Sequence, residues 1–293
     1  MKKSKRDVML QTLKNNPSLL RCPKCHQGFS FQESSLVCDN GHSYDLSKRG
    51  SVHLLLHPVR SVYDAALFDA RKRTADSGFF TPLIQIITEM ISSYVKEDSW
   101  IKMVDAGCGE GSLALNICQS LSQRTAYCCG VDISKDGIQL ATKSESDILW
   151  IVGDLADLPF QDKAFNVVLN VLSPANYGEF QRILGDDGIL IKVLPGTGYL
   201  KEFREIFYAD QVKETYTNNQ TKEHFQRRMD VLETQNIHYT ITPNEKQLHD
   251  LISMTPMLLN KDPNAAQKEA LKKIQAVSLD YEILIGRSKL LRE

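Results

Sequence analysis

The spacing of hydrophobic and polar positions divides the chain into two unlike parts. Residues 1–20 read as a helical lead-in broken at Pro17, and residues 22–57 as short alternating runs separated by the turn signals Gln27-Gly28 and Asn40-Gly41. A polar helix is predicted over 63–78 with Gly78 as its stop, then an amphipathic helix over Thr81–Val95. From residue 101 apolar strands alternate with amphipathic helices: strand 101–104, a glycine-rich turn, helix Ser112–Leu121, strand Ala126–Val131, helix 134–143 and strand 148–152. Strand Phe165–Val171, helix 177–184, the turn Gly185-Asp186-Asp187-Gly188 and strand Ile189–Val193 complete the series. Such alternation predicts an α/β fold, a doubly wound parallel sheet with right-handed crossovers. The rest is helix-rich from Tyr199, with strand candidates His238–Ile241 and Tyr281–Ile285 forming a closing hairpin. Three regions are expected: a small β module with its lead-in over 1–60, a helical linker over 61–98 that contributes to a ligand pocket, and the doubly wound domain over 99–293.

Candidate chemistry starts at Asp105-Ala106-Gly107-Cys108-Gly109-Glu110-Gly111, where the chain must leave a strand, turn sharply and enter a helix. Glycines permit unusual backbone angles there and let a ligand lie against bare backbone. A dinucleotide fold would space its third glycine three residues after the second; here Gly107, Gly109 and Gly111 are evenly spaced, which fits an NAD-dependent oxidoreductase poorly. Asp132 ends the second strand, where an acid can accept hydrogen bonds from ribose hydroxyls, and Asp154 ends the third. Each acid taken alone could be a helix cap or turn residue. The ordered set resembles class I methyltransferases. That resemblance implies S-adenosylmethionine as methyl donor, with Asp154 near the adenine amino group and Asp105 placing the cofactor's charged end or the turn.

Charge and cysteine usage add a second site. Net charge is −1, yet residues 1–62 hold ten Lys/Arg against four Asp/Glu, a local excess of basic charge that suits contact with a polyanion. Cys22-Pro23-Lys24-Cys25, followed by Cys38 and His42, has the spacing of a tetrahedral Cys3His zinc site with all four positions filled by protein, hence structural. Zinc would supply stability that about forty residues cannot build from a core alone. His26 is adjacent to Cys25 and poorly placed to join; His53 and His57 read as structural or RNA-facing, and Lys24, Lys48 and Arg49 could meet phosphates. Cys108, Cys118, Cys128 and Cys129 are expected as buried small hydrophobes rather than disulfides. No apolar run is long enough to span a bilayer, and the basic start lacks a signal-peptide core, so a cytoplasmic protein is expected.

With both motifs joined, the chain resembles the large-subunit ribosomal RNA guanine-N1 methyltransferases, the RlmA family. The resemblance is carried by the Cys3His set, Ser43–Gly50, Arg71-Lys72-Arg73, Gly78–Leu83, Asp105–Gly111 and Leu194-Pro195-Gly196. It implies methylation of N1 of one guanine in a 23S rRNA hairpin loop near the peptide exit tunnel, by homodimers that grip RNA between zinc modules and catalytic domains. Some Gram-positive relatives confer resistance to certain macrolides. It also implies cofactor contacts from Phe80, Gly111, Ser112 and Tyr199, where Phe80 stands in place of an expected Tyr and Tyr199 in place of the His of some members. No general base is evident; Asn170 and Asn176, with Ser173 and Pro174 between them, follow the fourth strand and are candidates to orient a flipped base. The alternatives are a small-molecule methyltransferase with an accessory zinc module, which does not need the basic N-terminal segment, and a non-catalytic RNA-binding protein with a relic cofactor fold, against which the intact glycine turn and acids stand.

Overall fold

The structure is a computed structural model that describes residues 4–59, 63–208, 218–259 and 261–289. Residues 1–3 of the lead-in and the boundary expected at 60–61 lie outside them. The N-terminal part comprises α1 (Lys5–Asn15), β1 (Phe29–Gln32), β2 (Ser35–Cys38), β3 (Ser43–Asp45) and β4 (Val52–His53). Two helices follow, α2 (Ala65–Asp76) and α3 (Thr81–Tyr94). The alternating region is β5 (Ile101–Ala106), α4 (Ser112–Ser120), β6 (Thr125–Asp132), α5 (Lys135–Ala141), β7 (Leu149–Val152), β8 (Phe165–Val171), α6 (Tyr177–Ile183) and β9 (Leu184–Pro195). The remainder is α7 (Lys201–Phe207), α8 (Asn219–Arg228), β10 (Met229–Ile241), α9 (Glu245–Met254), α10 (Ala265–Lys272) and β11 (Val277–Ser288).

The main sheet runs β10-β11-β9-β8-β5-β6-β7-β4. Its centre is parallel, as the alternation predicts, and the β9–β11–β10 end is antiparallel. Helices cover both faces, so the central strands are apolar almost throughout. Helix α3 shows how the pattern becomes packing: Pro82 in its first turn starts it, and Leu83, Ile87, Met90 and Ile91 make one buried stripe at helical spacing. Helices α5 and α6 are opened by side-chain caps, Ser134 accepting from the Gly137 N–H and Asn176 from the Glu179 N–H.

The N-terminal part joins the main sheet. Strands β1, β2 and β3 make their own antiparallel sheet, but β4 pairs in parallel with β7 and covers its free edge, and the Leu54 N–H donates to the Val152 carbonyl at 2.8 Å. The Arg21 and Gln161 N–H groups donate to the Pro159 and Leu19 carbonyls, each at 3.1 Å. Leu20, Leu36 and Leu46 share one apolar cluster with Val131, Ile151 and Phe160. Lys5 Nζ donates to the Thr142 and Ser144 carbonyls, both at 2.8 Å, at the C-terminal end of α5 where a cation is favoured.

Three expectations are corrected. Residues 185–188 do not separate helix from strand; they lie within β9 as an irregularity, the register passing from Phe165↔Leu184 to Val167↔Ile189. The closing hairpin is much longer than the apolar runs suggest, because β10 is an edge strand whose exposed face is polar and so breaks the hydrophobic signal. Cys118 and Cys128 are paired as a disulfide, since α4 packs against β6 and brings their Cα atoms to 6.8 Å, whereas Cys108 and Cys129 are free and buried.

Candidate active site and metal centre

Every strand from β5 to β9 points its C-terminal end at one cavity of about 1050 Å3, the usual ligand position in open α/β sheets. The floor is the turn after β5. Both the Gly107 and Cys108 N–H groups donate to the Val131 carbonyl, at 2.8 and 3.1 Å, which ties the turn to β6. Gly107 has φ +89°, and a Cβ there would meet Ser173 Oγ at 1.9 Å. Gly111 has φ +81°, and its missing Cβ makes room for the Trp150 ring, which would lie 2.5 Å away.

Of the predicted cofactor residues, Phe80, Asp105, Gly107, Asp132, Asp154 and Tyr199 line this cavity. Gly109, Gly111 and Ser112 are not among its lining residues. Gly109 presents its N–H to Asp132 Oδ2 at 2.8 Å, Gly111 packs on Trp150, and Ser112 Oγ donates to Glu110 Oε2 at 2.5 Å. Gly109 and Gly111 shape the turn, and Ser112 opens α4.

The acids differ in surroundings. Asp105 is 2% exposed, and among the described residues its Oδ1 has no hydrogen-bond partner. Burial, then the charges of Asp132 and Glu110, push its carboxyl up to about 7. Asp132 is also raised by burial, but both oxygens are engaged: Oδ2 by Gly109 and Oδ1 by the Ser134 N–H at 2.7 Å. Each oxygen keeps a second lone pair for a ligand hydroxyl. Asp154 Oδ1 accepts from the Ala156 N–H at 2.8 Å in a turn. An orphaned buried acid beside a bare glycine backbone suits a ligand that brings a cationic group and hydroxyls.

Asn170 and Asn176 do not line the cavity. Asn170 is fully buried, its amide donating to the Ala106 and Pro174 carbonyls at 2.7 and 2.9 Å and its Oδ1 accepting from Lys192 Nζ at 2.5 Å, so it has no donor left for a base. Asn176 caps α6 and donates to the Ala156 carbonyl at 3.3 Å. Sequence reasoning passed over Lys192, Tyr177, His224 and the cavity face of Arg71, which do line it. For Lys192 the signal was present: a lone cation within the apolar run Ile189–Val193.

The metal-ligand set comes together as predicted. The ligand atoms of Cys22, Cys25, Cys38 and His42 all lie within 4.8 Å of one another. Cys25 and Cys38 Sγ are 3.6 Å apart, close to the edge of about 3.8 Å expected for a tetrahedron with Zn–S bonds near 2.3 Å. His42 offers Nδ1, at 3.5 and 3.3 Å from Cys22 and Cys38 Sγ. The Gln27 N–H chiefly lowers the Cys25 thiol to about 6, which favours the thiolate that a metal needs. His26 stays outside the set and meets Asp157 at 3.2 Å.

Residues 20–61 match the family model described as RlmA, N-terminal, and residues 103–186 the model described as methyltransferase domain. The chain is 39% identical to YxjB of Bacillus subtilis over 92% of this chain and 97% of that one; YxjB carries the provisional name 23S rRNA (guanine-N(1)-)-methyltransferase. The chain belongs to the 23S rRNA guanine-N1 methyltransferase family. It is 26% identical to the 23S rRNA (guanine(748)-N(1))-methyltransferase of Streptomyces fradiae over 94% of this chain and 98% of that one. By contrast, similarity to a fatty-acid O-methyltransferase of Mycolicibacterium smegmatis, 33% identical, spans only 33% of this chain. The protein is thus an S-adenosylmethionine-dependent rRNA methyltransferase with a structural zinc at its Cys3His cluster. No described helix is long and apolar enough to cross a membrane.

Proposed function

We propose that this methyltransferase acts in the cytoplasm, as a homodimer, on N1 of one guanine in a hairpin loop of 23S rRNA near the peptide exit tunnel, and that its action bears on macrolide sensitivity. The observation that carries this reading is the cavity at the strand ends. It is divided between an acidic end at Asp105, Asp132 and Asp154 and a second end walled by Tyr177, Lys192 and His224. At about 1050 Å3 it exceeds what most single small ligands need and leaves room for a flipped base beside the cofactor.

In this reading Asp105 meets the cofactor's ammonium, Asp132 its ribose and Asp154 its adenine, while Phe80 and Tyr199 close the apolar walls. When bound, the cofactor supplies a methyl group on a sulfonium centre. The chain's residues align that group with the base and exclude water. Arg71, cation-stacked on Phe68 at 5.9 Å, lines the cavity and offsets the nearby acids. A second cavity of about 600 Å3, between the zinc module and α5, supports RNA rather than a metabolite as acceptor. Lys48, Arg49, His53, Lys135 and Lys143 line it, together with Asp45, Asp69 and Asp136, and its cations could meet phosphates.

The test is tritiated S-adenosylmethionine with purified protein and 23S rRNA transcript, followed by mapping of the modified base. Label at N1 of a single hairpin guanine is expected. Label confined to a small-molecule extract would overturn the reading.

A further inference from the structure

Strand β9 is an interior, buried strand, and Lys192 is a cation near its C-terminal end, 2% exposed. Its Nζ donates to Asn170 Oδ1 and to the Ser173 carbonyl, both at 2.5 Å. Asn170 is itself locked to Ala106 and Pro174, so the ammonium is held by groups that cannot swing away. An ammonium has three N–H donors; two are taken here, and Lys192 lines the cavity, which leaves the third for a ligand.

Among the described residues no carboxylate lies within 4.0 Å of this nitrogen. Burying a cation without a counter-ion is costly, and burial draws the Lys192 ammonium down to about 8. An uncompensated cation in a cavity wall is well suited to a place where negative charge develops during reaction. The acids that suit the cofactor's cationic end lie elsewhere. Asp105 is on β5, two strands from β9, on the order of 10 Å by ordinary strand spacing.

Guanine N1 carries a proton that must leave before or as the methyl arrives. The charge it leaves behind is shared with O6. We propose that Lys192 donates its remaining N–H to O6 of the target guanine and holds the negative charge that builds there as N1 is deprotonated. This rests on the guanine-N1 reading above. The N1 proton passes to water, the N1 electron pair forms the bond to the methyl carbon of the co-substrate, and the carbon–sulfur pair stays on sulfur. O6 returns to a neutral carbonyl, and Lys192 remains protonated throughout.

The experiment is single-turnover methyl transfer at saturating S-adenosylmethionine to a hairpin RNA carrying guanine or 6-thioguanine at the target. Thiocarbonyl sulfur accepts hydrogen bonds weakly, and N1 of 6-thioguanine is the more acidic. Lys192→Met should lose about 100- to 1000-fold on guanine, the scale of removing one oxyanion donor. On 6-thioguanine the loss should shrink to less than about tenfold, because the donor has little to stabilise there. Cofactor dissociation constants should stay unchanged, which shows that the fold is intact. Lys192→Gln, whose amide can keep one bond to Asn170 or Ser173, carries the same comparison if the methionine variant does not fold. Equal losses on the two targets would mean that Lys192 only supports the 170–174 turn, and a loss under about threefold on guanine would remove it from the chemistry; either overturns the proposal. Wild-type methylation at an atom other than guanine N1 would overturn the guanine reading itself, and the two failures are thereby distinguished.

Discussion

Asp105→Asn tests the electrostatics of the cofactor end directly, because it removes a titrating charge while keeping the side chain's shape. In the cofactor-free enzyme Asp105 is buried, has an unpartnered oxygen and is raised to about 7 by burial and by Asp132 and Glu110. An unfolded aspartate titrates near 3.9. The folded value is the higher one, so the folded state binds more protons between about pH 4 and pH 7, and wild-type stability falls as pH rises through that window. Each full pH unit inside the window corresponds to about 1.4 kcal/mol, so the wild type should lose about 2.3 kcal/mol relative to Asp105→Asn between pH 5 and pH 7, and only about 0.4 kcal/mol more above pH 7. Urea unfolding of both proteins without cofactor, followed by tryptophan fluorescence at pH 5 and pH 8, measures this. The variant's advantage should be small at pH 5 and large at pH 8. An equal difference at both would refute the claim that burial holds the Asp105 carboxyl well above its ordinary range. Cofactor reverses the order: a cationic ligand favours the carboxylate, so Asp105→Asn should bind S-adenosylmethionine at least about tenfold more weakly, or about 1.4 kcal/mol. Calorimetry at pH 6 in two buffers should show proton release on binding to the wild type only.

Asp132→Ala strands two backbone donors, Gly109 and Ser134, at about 1–3 kcal/mol each, and should weaken cofactor binding; an unchanged dissociation constant would place the ribose elsewhere. Gly111→Ala meets both a left-handed backbone and the Trp150 ring, and should lower stability by about 2–4 kcal/mol in thermal melts. Metal analysis should find about one zinc per chain, and Cys38→Ser should lose it. Because Leu54 and Val152 are bonded across the β4–β7 junction, amide exchange should quicken at Leu54 in that variant; unaltered exchange would separate zinc from the sheet.

The parallel core was legible because its strands are buried on both faces and its helices show one apolar stripe, as in α3. The zinc set was legible because ligand spacing is local. What sequence concealed depended on distant neighbours. Asn170 looked available for a base until Ala106, Pro174 and Lys192 were seen to use its amide. Gly111 closes the motif and Ser112 follows it, yet one makes room for Trp150 and the other bonds Glu110. Strand β4 is two residues long and carries no periodic signal; only its partner β7 makes it a strand.

That short pairing has a consequence for how the protein behaves in the cell. An open sheet edge is a template on which another chain can add, and β7, with all four residues buried, would present an apolar one. The zinc module supplies the cover, and the metal holds the module together. Scarcity of zinc would therefore act on this enzyme through aggregation and turnover, tying the amount of active enzyme to metal supply.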